Sequence, residues 1–185
     1  MRLDMPETET KRLWLRPVEA EDASDLYELY KDSRVTKYLT LQPHKNIDQT
    51  LHAIQAYFLP YEKRYLPQTW VIVWKEQEKV IGLLNIHTIE DDIGQIGYIL
   101  HPDYWGKGIM KEALAQLVLT GFTHVGLRRL EAMYDKEHSA SGKVLSACGF
   151  VQEGVLRQYT KLSDGNYHDM ILMAILKEDM KKECK

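Results

Sequence analysis

Apolar residues recur along this chain at two spacings, one typical of strands and the other typical of helices. Alternation over residues 13–16 predicts a first strand, and apolar residues at helical spacing from Asp22 onward predict a first helix. A second helix is expected over residues 51–58, before Pro60 ends or kinks it. The β-branched residues between two tryptophans at 70–74 then predict a buried strand.

Two polar turns divide the next apolar segments into neighbouring strands. Residues 77–79 form a turn that leads into a strand over 80–87, and the acidic turn 90–94 leads into a strand over 95–101. Strands joined by short turns pair with each other in opposite directions. The sequence therefore predicts antiparallel pairing of the strands around both turns.

The second half of the chain continues this mixture of helices and strands. A helix with an apolar stripe begins at Lys111 and ends near Gly126, since glycine is typical of helix termini. Four further elements follow in the order strand, helix, strand, strand, over residues 129–134, 139–147, 150–160 and 167–176. This order predicts a mixed α/β fold of the α+β class. Because no repeat, low-complexity tract or linker interrupts it, residues 1–185 are expected to form one domain.

The glycine-rich turn at residues 105–110, Trp-Gly-Lys-Gly-Ile-Met, is the most informative local feature. It joins an apolar strand-like segment, residues 96–100, to the helix that begins at Lys111. Such a junction leaves backbone N–H groups unpaired at the positive end of the helix dipole, and this geometry binds phosphate. Neither common nucleotide signature fits, because G-x-x-x-x-G-K-[ST] is absent and a dinucleotide fingerprint needs a third glycine. The alternative is a flexible turn without a ligand.

The composition narrows the classes of partner. The 185 residues carry a net charge of −3 with scattered basic residues, which argues against a nucleic-acid surface and suits a cationic substrate. Residues 1–11 are polar, and no apolar run approaches the ~20 residues of a membrane span, so a cytoplasmic protein is expected. Cys148 and Cys184 lack neighbours at metal-ligand spacing, so two reduced thiols and no bound metal are expected.

The order and spacing of several segments point to a known family. Residues 97–108 look like the strand and pyrophosphate loop of the GNAT N-acetyltransferases. Residues 139–150 are similar to the helix of that family that ends before a glycine and an aromatic residue. Parts of residues 153–169 resemble the branch that modifies ribosomal-protein N-termini, the RimJ/RimL type. The similarity covers nearly the whole chain, residues 12–176.

The resemblance implies a central, mostly antiparallel seven-stranded sheet whose fourth and fifth strands, residues 95–101 and 129–134, splay apart. The pantetheine arm of acetyl-CoA lies in the gap like an additional strand and bonds to the backbone of Ile99, Leu100 and His101. Lys107 either adds positive charge at the pyrophosphate or is simply solvated. The pyrophosphate lies on the backbone amides of Trp105, Gly106, Lys107, Gly108, Ile109 and Met110.

The implied reaction is attack of an amine on the thioester carbonyl, and the N–H of Leu100 is the candidate donor to the carbonyl oxygen. Many relatives protonate the leaving thiolate with a tyrosine, at a position where this chain has Leu145. Ser141 resembles the serine that the RimL type uses instead, so it is the candidate general acid and a cofactor contact. Alternatively, Ser141 caps backbone N–H groups near a helix start. His138, where the family often has asparagine, is a further candidate cofactor contact.

The group that removes the proton from the amine is less well defined by the sequence. Glu90, in the acidic turn, is the candidate base or attracts a cationic amine; the alternative is a solvated turn. His168 and Asp169 either orient the substrate or form a structural hydrogen bond. Tyr98 is predicted to be an aromatic residue of the core or of the cleft wall.

Three functions remain open at this point. The first is acetyl-CoA-dependent acetylation of a protein N-terminal α-amine, whose ordinary pKa of ~8 makes deprotonation easier than for a polyamine nitrogen at ~10.4. The second is acetylation of a small amine or polyamine, which predicts a deep acidic pocket. The third is a non-catalytic CoA-binding module. No nucleic-acid or membrane partner is expected, and the resemblance implies a homodimer.

Overall fold

A single mixed sheet organises the computed structural model, which describes residues 3–181, so that Cys184 lies outside the described residues. The strands are β1 Thr8–Glu9, β2 Leu13–Pro17, β3 Trp70–Trp74, β4 Lys79–Glu90, β5 Ile93–Leu100, β6 Arg129–Asp135, β7 Val151–Lys161 and β8 Tyr167–Leu176. Within the described range they form one sheet in the order β1-β2-β3-β4-β5-β6-β8-β7. Neighbours pair antiparallel except β5 and β6, which are parallel. The mostly antiparallel mixed fold is therefore confirmed.

The sheet has one strand more than the seven predicted, because β1 precedes the first predicted strand. Its two residues lie opposite Leu15 and Trp14 of β2, and two residues are too few to show a period. β4 and β5 also extend further toward the acidic turn than predicted. Asp91 and Asp92 alone form that turn, with φ angles of 47° and 64°, as in two-residue hairpin turns that match the twist of their strands.

The helices are α1 Ala23–Tyr30, α2 Ser33–Thr36, α3 Ile47–Ala53, α4 Ile109–Thr120 and α5 Ser139–Ala147. α3 continues into a π-helical turn, Ile54–Phe58, that ends before Pro60 as predicted. α4 begins two residues before Lys111 and continues through a π-helical turn to Gly126, whose φ of 91° ends it. The short α2 is not predicted by the periodicity. No helix within residues 3–181 is long and apolar enough to span a membrane.

The two faces of the sheet pack against different helices, because successive side chains of a strand point to opposite sides. On one face, called the α4 face below, Ile96 and Leu100 of β5 share a core cluster with Leu114 of α4 and Leu145 of α5. On the opposite face, called the α1 face below, Ile99 packs against a second cluster that includes residues of α1. Side chains of β5 therefore alternate between two separate cores.

β5 and β6 diverge within the sheet. Their parallel pairing covers three positions and ends where Gln95 lies opposite Glu131. Beyond that point, residues 96–100 of β5 and 132–135 of β6 are not paired with each other. The open edge of β5 leads into the glycine turn and α4, and that of β6 leads into α5. The predicted splay is confirmed, and the gap between the two strands positions the candidate site.

Candidate active site

The last residues of β5 direct their main-chain groups alternately toward β4 and toward the gap. The His101 N–H donates to the Ile81 carbonyl at 2.7 Å, on the β4 side. Because the direction alternates along a strand, the N–H of Ile99 also faces β4, whereas the N–H of Leu100 faces the gap. The Leu100 carbonyl accepts the indole N–H of Trp105 at 2.8 Å. Of the three residues predicted to contact pantetheine, only Leu100 turns its main-chain N–H into the gap.

The glycine turn presents a row of amides at the start of α4. Gly106 and Gly108 have φ angles of 72° and 70°, a conformation that glycine adopts without the steric cost of a Cβ. The Trp105 N–H donates to the Pro102 carbonyl at 3.1 Å, so this amide already has a partner. The main-chain N–H groups of residues 106–111 donate a hydrogen bond to no acceptor within residues 3–181. Together with the helix dipole, these amides form a geometry that binds anions.

The side chains around the turn fix its position. Ile109 and Met110 are almost fully buried in the α4-face core, so the first turn of α4 is held in place by packing. The ammonium of Lys107 lies 5.4 Å from the centroid of the Tyr104 ring. The positive charge of Lys107 is therefore directed at an aromatic face next to the turn.

Arg12, for which the sequence indicates no role, holds the glycine turn against β2. Its Nη1 donates to the Lys107 carbonyl at 2.9 Å, and its Nε donates to Glu112 of α4 at 2.7 Å. The main-chain N–H of Arg12 and the hydroxyl of Thr10 donate to the other carboxylate oxygen of Glu112. Burial alone would raise the pKa of Glu112, but the hydrogen bonds from Thr10 and Arg12 lower it below its ordinary value. Glu112 therefore stays charged at neutral pH and keeps Arg12 beside the turn.

Arg12→Ala is expected to raise the dissociation constant for acetyl-CoA about tenfold, because the turn loses preorganisation along with its link to Glu112. Isothermal titration calorimetry measures the change. Arg128→Ala is the matched control, because Arg128 is exposed and lies beside the acidic turn at the opposite end of β5, and it is expected to leave affinity unchanged. Equal affinities of both variants and the unsubstituted protein would contradict the role of Arg12.

Ser141 and Tyr98 form a hydrogen-bonded pair on the α4 face, where β5 meets α5. The Tyr98 hydroxyl and Ser141 Oγ are 2.7 Å apart, and either oxygen can be the donor; the Ser141 carbonyl oxygen lies 3.3 Å from the same hydroxyl. Ser141 is 8% exposed. Burial raises the pKa of Tyr98 to about 12. The phenol therefore keeps its proton at neutral pH and is a hydrogen-bond donor beside Ser141.

A phenol lies beside Ser141 although α5 has a leucine where many relatives have a tyrosine. Leu145, at the position of that tyrosine, is fully buried in the α4-face core. His138 is the N-cap residue of α5, and no side-chain hydrogen bond caps this helix end. The phenol that contacts Ser141 is that of Tyr98, on β5. Strand periodicity assigns Tyr98 to a face but cannot identify the helix it meets, which is why the sequence indicates only a core or wall residue.

His138 lies where β6 leads into α5. Its ring stacks on that of Tyr38 with 4.3 Å between centroids, and the main-chain N–H of His138 donates to the Asp135 carbonyl at 2.7 Å. Burial lowers the pKa of His138 below its ordinary value, so the imidazole is neutral at pH 7. A contact between His138 and the cofactor stays a prediction.

Glu90 lies at the opposite end of the β4–β5 hairpin from the glycine turn. It is exposed and pairs opposite Ile93. Seven residue steps separate Ile93 from Leu100, roughly 23 Å at the usual rise of a strand. The structure therefore does not bring Glu90 to the Leu100 amide.

A cavity of about 130 Å³ opens on the α1 face of β4. Gly97 leaves room for two side chains of β4, since a Cβ at Gly97 would stand 3.3 Å from Asn85 Oδ1 and 3.2 Å from His87 Cδ2. The rest of the lining is mixed: it includes the aromatic rings of Tyr57, Phe58 and Tyr61, with Arg64 as a cation. Within residues 3–181 no aspartate or glutamate lines this cavity.

His168 lies at the start of β8 between two carboxylates, those of Asp135 and Asp164. The sequence analysis gives a single structural hydrogen bond as one alternative for this segment, whereas the His168 ring has two carboxylate partners. Asp169 accepts the Gln158 N–H at 2.9 Å and lies 3.8 Å from the ammonium of Lys136. The two adjacent residues therefore have separate partners.

The sequence and the fold are both similar to those of known proteins. The family model described as acetyltransferase (GNAT) domain matches residues 12–151. The uncharacterized N-acetyltransferase p20 of Bacillus licheniformis is 36% identical over 173 residues, 92% of this chain and 96% of that protein. Spermidine N(1)-acetyltransferase of Escherichia coli is 25% identical over 173 residues, 92% of this chain and 89% of that protein. The solved structure of a ribosomal-protein-S5-alanine acetyltransferase from Vibrio fischeri matches with a TM-score of 0.80 and 27% identity, covering 95% of this chain and 98% of that one.

Proposed function

The chain belongs to the GNAT acetyltransferase family and is an acetyl-CoA-dependent N-acyltransferase, and we propose that its acceptor is the N-terminal α-amine of a polypeptide. The observation that carries the choice of acceptor is the cavity on the α1 face, which no described carboxylate lines. The proposal is of the RimJ/RimL type, and the similarity to the Vibrio fischeri enzyme that is named for a ribosomal-protein alanine supports it.

In this proposal, main-chain groups hold the acetyl-CoA donor. The amides of residues 106–111 bind the pyrophosphate, and the pantetheine arm lies in the gap beside Leu100. The Leu100 N–H then donates to the thioester oxygen, where negative charge develops as the amine attacks. Because these donors are fixed in the backbone before the substrate arrives, they need no reorganisation during the reaction.

Ser141 acts on the leaving sulfur in the proposed reaction. As the C–S bond breaks, the Ser141 hydroxyl donates to the sulfur, and the Tyr98 hydroxyl, whose oxygen lies 2.7 Å from Ser141 Oγ, then directs its one proton to that oxygen. The ordinary pKa of a thiol is ~8.5, so the released CoA takes a proton at neutral pH. The hydrogen-bonded pair therefore stabilises the charge that develops before this proton arrives.

The charges around the cavities favour an acceptor with a single cationic nitrogen. A polyamine carries several ammonium groups and is best matched by several carboxylates. The α1-face cavity has none among residues 3–181, and in the larger cavity at the glycine turn, about 390 Å³, two carboxylates are balanced by two lysines. A polypeptide N-terminus carries one amine, and its pKa of ~8 leaves a usable neutral fraction at pH 7.

A polyamine acceptor is the second candidate. The similarity to Escherichia coli spermidine N(1)-acetyltransferase, over 92% of this chain, supports it. The implied homodimer and the cytoplasmic location stay predictions from the sequence.

The test measures release of the CoA thiol with three acceptors: a short peptide with a free N-terminal alanine, the same peptide with its α-amine acetylated, and spermidine. The free peptide is expected to give a kcat/KM at least about tenfold above that of spermidine, because only the α-amine fits a site without several carboxylates. The blocked peptide is expected to be inert. Higher turnover of spermidine would overturn the proposed acceptor, and no turnover of any amine would overturn the proposed reaction.

A further inference from the structure

Arg64 is a cation of the α1-face cavity that has no anionic partner among the described residues. It ends a short 3-10 helix, Glu62–Arg64, and its side chain lines the cavity. Within residues 3–181 Arg64 forms no ion pair with an aspartate or a glutamate. A cation in a cavity attracts a ligand group of opposite charge. The charge of Arg64 is therefore available for an anionic group of a ligand.

The guanidinium of Arg64 is held on one side and open on the other. Its Nη1 donates to the Tyr57 carbonyl at 2.9 Å, and its central carbon lies 5.7 Å from the centroid of the Tyr57 ring. Nε and Nη2 donate to no acceptor in the part of the chain that the structure describes. These two nitrogens form an edge of arginine that binds both oxygens of one carboxylate. The open edge therefore suits a carboxylate ligand.

The other side chains of the cavity leave this positive charge unbalanced. Partial burial lowers the pKa of His87, a hydrogen bond with the main chain of Ile96 opposes this shift, and the charge of Arg64 lowers the pKa further. His87 is therefore an uncharged imidazole at pH 7. The tyrosines of the lining ionise only near pH 10 or above. At neutral pH the charge of the cavity lining is that of Arg64.

The cavity lies within reach of a polypeptide whose N-terminus enters the candidate site. His87 connects the cavity to β5, because a Cβ at Gly97 would stand 3.2 Å from His87 Cδ2. Three residue steps separate Gly97 from Leu100, roughly 10 Å along a strand. An extended polypeptide advances at most about 3.5 Å per residue. An acceptor whose α-amine reaches the thioester at Leu100 can therefore bring the side chain of its second or third residue to the cavity.

Exposed apolar side chains extend this surface beyond the cavity. Tyr57, Leu59 and Tyr65 come from the same segment as Arg64, and all three are exposed. Tyrosine is enriched at protein interfaces, because its ring buries a large apolar area while its hydroxyl keeps a polar contact. A polypeptide can contact these side chains as well as the cavity, whereas a small amine can contact only the cavity.

We propose that Arg64 selects acceptor polypeptides with an aspartate or a glutamate at the second or third residue, an inference that rests on the proposed function. The acceptor carboxylate binds Nε and Nη2 of Arg64 while the α-amine lies at the thioester beside Leu100. Arg64 also disfavours a polyamine, because the further ammonium groups of a polyamine meet the same positive charge. Arg64 thus determines specificity and takes no part in the bond changes.

The first test compares three peptides with a free N-terminal alanine, in which the second and third residues are both glutamate, both glutamine or both lysine. With the unsubstituted protein, the glutamate peptide is expected to have a kcat/KM at least about fivefold above that of the glutamine peptide, the upper range for a partly exposed ion pair. The lysine peptide is expected to be the poorest. The difference is expected in KM, because the carboxylate binds alike before and during the reaction.

Charge reversal at Arg64 provides the second test. Arg64→Glu is expected to prefer the lysine peptide, and Arg64→Gln is expected to treat the glutamate and glutamine peptides alike. Lys63→Glu is the matched control, because Lys63 is an exposed neighbour outside the cavity lining and the net charge changes equally. This control is expected to keep the preference for glutamate. Thermal unfolding and the KM for acetyl-CoA are expected to be unchanged in all three variants.

Two results would contradict the role of Arg64 and leave the proposed function in place. One is an equal kcat/KM of the unsubstituted protein for the glutamate and glutamine peptides, a measurement that needs no variant. The other is a preference for glutamate that persists in both Arg64 variants. Turnover of spermidine without turnover of any peptide would instead refute the proposed acceptor, and the role of Arg64 with it.

Discussion

Gly108→Asp is expected to raise the dissociation constant for acetyl-CoA by at least about 100-fold. The φ of 70° at Gly108 is costly for any residue with a Cβ. The added carboxylate also stands among the amides of residues 106–111, where it competes with the pyrophosphate for the same donors. A Cβ at this position lies 3.8 Å from Arg12 Nη2, so the new charge also draws Arg12 away from the Lys107 carbonyl.

Gly126→Asp is the matched control for this experiment. Gly126 has a φ of 91°, and a Cβ there meets no atom within 4 Å, so the substitution introduces the same type of backbone strain and the same charge. It lies after the other end of α4, away from the turn. Calorimetry is expected to show normal affinity for Gly126→Asp. Normal affinity of Gly108→Asp as well would contradict the assignment of the glycine turn to the pyrophosphate.

Ser141→Ala is expected to lower kcat about 100-fold with little change in the KM for acetyl-CoA. The reason is that the hydroxyl acts on the sulfur only as the C–S bond breaks, whereas backbone amides supply most of the ground-state binding. Folding loses one hydrogen bond, the one with Tyr98, worth about 1 kcal/mol. Steady-state kinetics together with thermal unfolding separate these two effects.

Tyr98→Phe tests whether the serine and the phenol act as one unit. The Tyr98 hydroxyl is expected to affect kcat only through Ser141 Oγ. The double variant that combines Ser141→Ala with Tyr98→Phe is therefore expected to have about the same kcat as Ser141→Ala alone. Ser146→Ala, at an exposed serine of the same helix, is the control and is expected to keep full activity. Independent losses that multiply in the double variant would show that the two hydroxyls do not work together. Full activity of Ser141→Ala would exclude the acid role.

The elements of the fold could be predicted largely from local pattern. The bounds of α5 and β8 agree with the prediction, because their apolar periods end at clear turn residues. β1 and α2 are not predicted, since a segment of two or four residues shows no period. The acidic turn is shorter than predicted, because Asp91 and Asp92 adopt the left-handed conformation that closes a hairpin in two residues.

Some residues of the candidate site can be predicted from neighbouring residues in the sequence, and others depend on contacts between distant segments. The glycine turn can be identified from local sequence, because a strand, two glycines and a helix start are all that its unpaired amides require. It also determines Ser141 as a candidate through resemblance. It does not determine the phenol partner, since Tyr98 and Ser141 are 43 residues apart and meet only when β5 packs against α5.

Which residues come together around the gap depends on how the elements pack in three dimensions. Arg12 reaches the glycine turn across 95 residues, His168 joins Asp135 from another strand, and Glu90 is carried away from Leu100 along its hairpin. The physical reason is that periodicity fixes the direction of a side chain within its own element, whereas contacts between elements depend on sheet order and on where β5 and β6 part. The helices, the strands and the anion-binding turn follow from local sequence, whereas the contacts among the other candidate site residues form only when the elements pack together.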